Sequence, residues 1–264
     1  MKIALIGYGA IAHYVKVNLA ARGHMVEALI LRADRTSSDV DPDERIPAVV
    51  HKVADLPATI EHVIDCAGHA GLRDYGPDIL RSGKDLTTVS IGALADQDLF
   101  TRLRQAATAG KNKLHLASGA IGALDCLRAA GVGQLDTVRY TGRKPPGGWL
   151  GSPAEAKLPL DLMDGKARTH FKGTARQAAI EYPKNANVAA AVALSGAGFD
   201  RTEVELIADP NITTNIHEIH ASGQFGEFEF RLSGRALADN ARSSALAAMS
   251  VISSIEQQTG TIVF

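Results

Sequence analysis

The sequence predicts a two-domain protein, with an N-terminal α/β domain built on a parallel sheet and a C-terminal α+β domain. Over the first 120 residues, short apolar runs alternate with helical segments, which is typical of a parallel sheet with helices on both faces. A glycine-rich turn, "GYGAIA", directly follows the first apolar run. Beyond residue 121 the pattern changes to strands of alternating polarity and an alanine-rich helix.

The first domain is predicted to contain five strands and four helices. The strands are 2–6, 26–31, 62–66, 86–91 and 113–117, and the helices are 10–22, 71–83, 96–110 and 119–131. Asp96 is a suitable N-cap for the third helix, whereas Pro77 is expected to interrupt the second helix or to delay its start. Residues 32–45 are polar and are predicted to form a loop.

The second domain is predicted to combine strands with one buried helix. The strands are 137–141, 203–208, 215–222 and 227–232, and the helix is 187–194. In the last strand Phe228, Phe230 and Leu232 alternate with charged residues. We therefore expect a dinucleotide-binding domain at 1–120, an α+β substrate or dimerisation domain at 121–240, and a final helix at 241–264 that packs back on the first domain.

Composition excludes several classes of function. With 28 basic and 29 acidic residues and no basic run, a nucleic-acid partner is not expected. The apolar stretches are too short to span a bilayer, so no membrane segment is expected. Cys66 and Cys126, the only two cysteines, lack CxxC spacing, which favours a reduced, cytoplasmic protein without a disulfide framework or a thiolate zinc site.

The glycine-rich turn indicates that the first domain is a Rossmann-type dinucleotide-binding domain. Gly7 permits a tight turn, Gly9 lets a pyrophosphate approach the backbone, and Ala12 allows close packing of helix on strand. The helix that follows begins at Ala10. The N–H groups of its first residues, Ala10 and Ile11, and the helix dipole favour binding of a phosphate.

Arg32 stands where the second strand ends, the position that selects the nicotinamide cofactor. An NAD-specific site requires an acidic side chain there for the ribose hydroxyls, whereas arginine favours a 2′-phosphate. Arg35, Thr36 and Ser37 follow closely. We expect NADP to be accepted alongside NAD; the alternative is that Arg32 is a solvated loop residue.

Three further turns of small residues follow predicted strands and are expected to contact the cofactor. They contain Ala67, Gly92 and Ala120, and small side chains there leave room for a ribose and a nicotinamide ring. His69 lies in the first of these turns; a functional role is open, but a loop histidine near a cofactor more often makes a packing or solvent contact.

The segment "NIHEIHAS" raises the question of a metal site, because it is close to the zinc motif H-E-x-x-H. His217 and His220 are three residues apart in a predicted strand, so their side chains point to opposite faces and cannot share an ion. No metal site is expected. From residue type alone, a structural and a catalytic role remain open for either histidine.

Several segments, in order along nearly the whole chain, make the sequence resemble the L-aspartate dehydrogenase family. They are "GYGAIA", "SGAIGALD", "YTGRKPP", "YPKNANVAAAVAL", "ELIADP" and "NIHEIHASGQFG". The resemblance implies a homodimeric enzyme with a dihydrodipicolinate-reductase-like architecture. It further implies NAD(P)-dependent oxidation of L-aspartate to iminoaspartate, which hydrolyses to oxaloacetate and ammonia and also feeds NAD biosynthesis.

The resemblance also implies roles for three residues. The active-site histidine falls on His217, and cofactor contacts fall on Ala120 and Asn187. Histidine suits the chemistry, since oxidation at Cα requires a neutral amine and a base that titrates near neutral pH. Asn185 or Asn187 is alternatively an N-cap of the alanine-rich helix.

An aspartate site also needs cations for two carboxylates, and the sequence does not rank the candidates. They are Arg143, Lys144, Arg168, Lys184 and Arg231. Two other functions remain open: a reductase of the same architecture that acts on another imine or carbonyl, and a nucleotide-sensing protein without catalysis.

Overall fold

The computed structural model describes residues 1–35, 48–238 and 240–263. The chain forms two compact units. The first comprises Met1–Ala117 and Ala247–Phe264, and the second comprises Ser118–Leu246. Most of the predicted loop at 32–45 lies outside the described residues.

The first unit is built on a parallel sheet, as the sequence predicts, but the sheet has six strands rather than the five predicted. Its strands are β1 (Lys2–Ile6), β2 (Met25–Ile30), β3 (Ala48–Val50), β4 (His62–Asp65), β5 (Asp85–Thr88) and β6 (Leu114–Leu116). The strand order is β3-β2-β1-β4-β5-β6, which is the order of a Rossmann sheet. The order reverses at β1, so the carboxyl ends of β1 and β4 open the crevice where such sheets bind ligands.

Three helices connect these strands: α1 (Ala10–Ala20), α2 (His69–Arg81) and α3 (Gln97–Gly110). Asp96 caps α3 as predicted, because its side chain accepts hydrogen bonds from the N–H groups of Asp98 and Leu99. The prediction for α2 was wrong, since the helix begins at His69 and continues through Pro77. Gly76 precedes this proline and has no Cβ to clash with the proline ring, which removes one of the costs of a proline inside a helix.

The second unit contains a mixed five-stranded sheet. Its strands are β7 (Leu135–Lys144), β8 (Arg168–Thr174), β9 (Glu203–Ala208), β10 (Asn215–Gly223) and β11 (Gly226–Gly234), in the order β11-β10-β7-β9-β8. Helices α4 (Leu124–Ala130), α5 (Ala175–Glu181) and α6 (Asn187–Ser195) complete the unit. A strand pair, β12 (Ala236–Leu237) and β13 (Asn240–Ser244), follows the sheet.

The two faces of this mixed sheet differ in polarity. One face is buried, with Val138, Tyr140 and Leu206 at most 1% exposed. The opposite face is polar, and three ion pairs cross its strands: Arg139–Glu203, Lys172–Glu205 and Arg231–Glu218. The alternation predicted for Phe228, Phe230 and Leu232 is confirmed, although these side chains are only half-buried on the edge strand β11.

Two helix predictions need correction at their N-terminal ends. The helix predicted at 119–131 begins only at Leu124, because Gly119 and Ala123 adopt left-handed backbone conformations (φ 73° and 58°) that a helix does not contain. The helix predicted from 241 is α7 (Ala245–Thr259), since residues 240–244 pair with β12 instead. Val251, Ile252 and Ile255 of α7 belong to the core of the first unit.

Candidate active site

A cleft of about 360 Å³ lies at the carboxyl ends of β1, β2 and β4 in the first unit. Its lining brings together four residues that the sequence predicts to contact a cofactor: Gly7, Gly9, Arg32 and Ala67. These residues come from three separate strand ends. The sheet topology therefore gathers them in one crevice, where Rossmann sheets bind dinucleotides.

The backbone around the glycine turn suits a phosphate group. Gly7 has φ 83°, and a Cβ on it would lie 3.0 Å from the Cβ of Ala67, so a larger residue is not accommodated. A Cβ on Gly9 would meet nothing within 4 Å, which leaves the backbone open to a ligand. The first hydrogen bond of α1 runs from His13 N–H to Gly9 O, so the N–H groups of Ala10 and Ile11 have no acceptor within the helix.

Arg32 lies two residues after β2, with an exposed side chain at the edge of the cleft. Its guanidinium is 3.4 Å from the carboxylate of Asp34, and both side chains are largely exposed. Arg35 also lines the cleft. Thr36 and Ser37 lie outside the described residues. Two arginines thus line this end of the cleft.

Asp65, at the end of β4, is buried directly behind the turn at Cys66 and Ala67 that lines this crevice, and the sequence reasoning missed it. It is fully buried, and its carboxylate accepts hydrogen bonds from the hydroxyls of Thr88 (2.7 Å) and Ser90 (2.6 Å) and from Ala67 N–H (2.9 Å). Burial raises the pKa of Asp65, and the three donors oppose that shift. The signal in the sequence is an acidic residue ending an apolar strand directly before a small-residue turn.

The remaining proposed cofactor contacts lie in different units. Gly92 is buried in a short turn after β5 in the first unit. Ala120 precedes α4 and Asn187 is the first residue of α6, both in the second unit. The N-cap of α6 is Ala186, so the capping alternative is wrong for both Asn185 and Asn187. Asn185 instead donates to the carbonyl of Gly148 (3.4 Å).

His217 is buried on β10, with 4% of its surface exposed. Its Nδ1 is 2.7 Å from the hydroxyl of Tyr140 on β7, and the two rings stack with centroids 6.0 Å apart. Gly142, paired with His217 in the sheet, makes this contact possible, because a Cβ on it would lie 2.7 Å from the Tyr140 hydroxyl oxygen. The imidazole is therefore held in one orientation.

Electrostatics keep His217 neutral. Burial lowers its pKa to about 4, and the positive charge of Lys144 adds to this shift. Burial also raises the pKa of Tyr140, so the phenol stays protonated. If Nδ1 carries the histidine proton and donates to the Tyr140 oxygen, Nε2 is unprotonated, and its lone pair can accept a proton from a ligand.

The strand geometry separates the two histidines, as their spacing predicts. His217 pairs with Gly142 and His220 with Arg139, so the two imidazoles lie on opposite faces of the sheet. In the described part of the chain, no cluster of three or more His, Cys, Asp or Glu side chains has the arrangement of a metal site. Among the described residues, no helix combines the length and apolar character that a bilayer span requires.

Solved structures share the fold of the whole chain. An aspartate dehydrogenase from Thermotoga maritima aligns over 100% of this chain and 99% of its own, with a TM-score of 0.77 and 24% identity. A dihydrodipicolinate reductase from Paenisporosarcina sp. aligns over 97% of this chain and 94% of its own, with a TM-score of 0.55 and 14% identity. At these identities the likeness concerns the fold.

Sequence comparisons identify the family. The model "Aspartate dehydrogenase, C-terminal" matches residues 125–258, and the model "Homoserine dehydrogenase, NAD binding domain" matches residues 7–117. An L-aspartate dehydrogenase of Ruegeria pomeroyi is 49% identical, with 99% of this chain and 94% of the relative covered. One of Pseudomonas aeruginosa is 43% identical, with 96% and 95% covered. The chain belongs to the L-aspartate dehydrogenase family.

Proposed function

We propose that this chain oxidises L-aspartate with NAD or NADP, giving iminoaspartate, which water hydrolyses to oxaloacetate and ammonia. The named relatives are matched over nearly their full length, so the unit with the glycine turn and the unit with His217 both have counterparts in them. The product iminoaspartate makes supply of NAD biosynthesis the proposed role of the reaction.

The observation that carries this proposal is the buried, neutral His217, oriented by Tyr140. Oxidation of an amino acid requires loss of a proton from the ammonium group and of a hydride from Cα. The nicotinamide cofactor supplies the hydride acceptor when bound. His217 accepts the ammonium proton, which leaves the lone pair that forms the imine as the hydride departs.

The low pKa of His217 before substrate binds does not conflict with this role. A histidine that is protonated before the substrate arrives cannot act as a base, and a pKa of about 4 prevents this at neutral pH. Two carboxylates brought by the substrate add negative charge near the imidazole, and negative charge raises the pKa of a histidine. Substrate binding thus makes His217 a stronger base when it is needed.

The cofactor site is proposed from the cleft at the end of β1. Gly7, Gly9, Ala10 and Ile11 are assigned to the pyrophosphate, and Arg32 to the 2′-phosphate of NADP. Ala67 and Gly92, in turns that follow strands of the first unit, are assigned to the cofactor as well. Ala120 and Asn187, the first residue of α6, are assigned to it from the family resemblance. Asparagine offers both a donor and an acceptor, which suits a carboxamide ligand.

We also propose a homodimer located in the cytoplasm. The half-buried Phe228, Phe230 and Leu232 on the edge strand β11 support association, because edge strands with apolar faces favour pairing. Both cysteines, Cys66 and Cys126, are free thiols, as a reducing compartment would keep them. Sedimentation of the purified chain measures the oligomeric state.

The function is tested by assaying L-aspartate with NAD⁺ and NADP⁺, and oxaloacetate plus ammonium with the reduced cofactors. We expect turnover with both, and a kcat reduced roughly 10³-fold in His217→Ala with NADH affinity unchanged. His220→Ala, on the opposite face, is the matched control and should retain activity.

Arg32→Gln should raise KM for NADP⁺ about tenfold more than KM for NAD⁺.

Failure of wild-type protein to oxidise aspartate with either cofactor would contradict the proposal. Turnover of a different imine or carbonyl would then favour a reductase, and dinucleotide binding without turnover would favour a sensor.

A further inference from the structure

Lys144 is the last residue of β7 and lies on the same face of the sheet as Tyr140 and His217. Its Nζ is 4.9 Å from the ring centroid of Trp149. That ring is fully buried and is fixed by a hydrogen bond from its Nε1 to the Ile207 carbonyl (3.0 Å). The cation–π contact with this fixed ring therefore positions the lysine.

The backbone leaves room for this lysine next to β10. A Cβ on Gly148 would lie 3.2 Å from the Cβ of Lys144 and 3.8 Å from Oδ1 of Asn215, so the glycine lets the side chain pass. Asn215 shares the face of His217 on β10. Lys144, Asn215 and His217 thus form a cluster of polar side chains on one face of the sheet.

Lys144 differs from the other cations that the sequence offers for a substrate carboxylate. Within the described part of the chain it forms no ion pair, and its ammonium instead makes a cation–π contact with the Trp149 ring. Each of the others is either paired with a carboxylate or exposed: Arg143 with Asp209, Arg168 with Asp164, Arg231 with Glu218, and Lys184 on the surface.

A desolvated ammonium without a carboxylate is a strong site for an anionic ligand. Burial lowers the pKa of Lys144 to about 8, so the group is still mostly protonated at neutral pH but is destabilised as a cation. Its charge reaches two imidazoles, since it lowers the pKa of both His217 and His170. A bound carboxylate would offset this charge and so raise the pKa of both histidines.

We propose that Lys144 binds one of the two carboxylates of the substrate, beside His217, and so makes the site selective for a dicarboxylate. This inference rests on the proposed function for the identity of the substrate. It assigns Lys144 a double role, because the same charge that receives the carboxylate also adds to the effect of burial in lowering the pKa of His217 until that carboxylate has arrived.

The test compares Lys144→Met with Lys172→Met in the full-length protein. Lys172 is an exposed lysine paired with Glu205, so its variant controls for the loss of one positive charge. We expect Lys144→Met to raise KM for L-aspartate and the dissociation constant of succinate about 30-fold, with NADH affinity unchanged. Succinate is the probe because it carries two carboxylates and no amine.

The pH dependence separates charge recognition from a packing role. In wild-type protein the succinate dissociation constant should rise about tenfold per pH unit above pH 8, as Lys144 loses its proton. Lys144→Met should lack this rise, and Lys144→Arg, which stays charged, should bind succinate without the alkaline loss. A purely structural lysine would not impose this pattern.

Two outcomes overturn the inference: wild-type-like succinate binding in Lys144→Met, or an unchanged alkaline rise in that variant. Lys144→Gln provides a second neutral variant in case the methionine protein does not fold. If wild-type protein binds succinate through Lys144 but does not oxidise aspartate, the proposed function fails and the carboxylate site stands. If aspartate is oxidised and Lys144→Met has a normal KM, only the inference fails.

Discussion

Among the described residues, His217 has one side-chain hydrogen-bond partner, Tyr140, which lies 77 residues away in the sequence. The strand register brings the two side chains together, and Gly142 leaves space for the phenol oxygen. Alternation along the strand predicts which face His217 occupies, but the assignment of a catalytic role came from the family resemblance. The sequence offers no signal for Tyr140, because pairing between β7 and β10 cannot be read from either strand alone.

Removal of the Tyr140 hydroxyl should slow the reaction without weakening binding. In Tyr140→Phe the imidazole loses the contact that fixes its orientation, and we expect kcat to fall about 10- to 100-fold while KM for both substrates changes little. Tyr182→Phe is the matched control, since its hydroxyl is hydrogen-bonded to His170 (3.1 Å), another buried histidine of the second unit. Equal loss of kcat in both variants would contradict the role given to Tyr140.

At the scale of elements, Asp65 joins the ends of β4 and β5. Thr88 and Ser90 bind its carboxylate from β5 and the turn after it, and Ala67 N–H binds it from the turn after β4. Three donors thus share one buried acceptor. The turns that contain Ala67 and Gly92, both proposed cofactor contacts, are held by this carboxylate.

Replacement of Asp65 by alanine should therefore affect both stability and cofactor binding. Three buried donors lose their acceptor, and we expect the free energy of unfolding to fall by roughly 2–4 kcal/mol. The dissociation constant of NADH should rise, since the turns beside the cleft lose their anchor. Asp78→Ala is the control, because its ion pair with Arg81 is exposed and is worth less than about 1 kcal/mol. A normal NADH affinity in Asp65→Ala would contradict the positioning role.

The elements that could be predicted are those with a strong local signal. Strands β1 and β9 have the predicted bounds, and α3 was marked by both its cap and its final glycine. The three-residue β3 was missed because it is too short to show a period, and β8 because its polar composition hides its alternation. Their places in the sheets come from pairing with β2 and β9, which is not a local property.

At the scale of the whole molecule, buried neutral histidines are unevenly divided between the two units. His170 and His217 lie in the second unit, and burial lowers the pKa of each to about 4. The first unit contains His62, whose pKa burial and the nearby His115 also lower to about 4. The first unit also contains Asp65, whose raised pKa favours proton binding by the folded state and so opposes destabilisation by acid. The second unit should therefore be the more sensitive to acid.

The sign of this effect follows from proton uptake on unfolding. Between pH 6.5 and 4 an unfolded histidine is protonated while its buried counterpart is not, so the unfolded state binds more protons and stability falls as the pH falls. From pH 7 to pH 5 the expected loss is about 2 kcal/mol for each fully buried histidine. Carboxylates whose pKa is lowered in the folded state, such as Asp209, reduce stability only below this window, as the pH approaches the ordinary carboxylate pKa of about 4.

Urea unfolding at pH 7 and pH 5 measures the difference, because Trp149 is the only tryptophan and lies in the second unit. Its fluorescence should report a larger fall in midpoint than circular dichroism, which reports both units. His217→Asn should lessen the fall seen by fluorescence, since asparagine does not titrate, whereas the exposed His13→Asn should leave it unchanged. Equal shifts by both probes, or an undiminished fall in His217→Asn, would show that proton uptake by the second unit's histidines does not govern its acid stability.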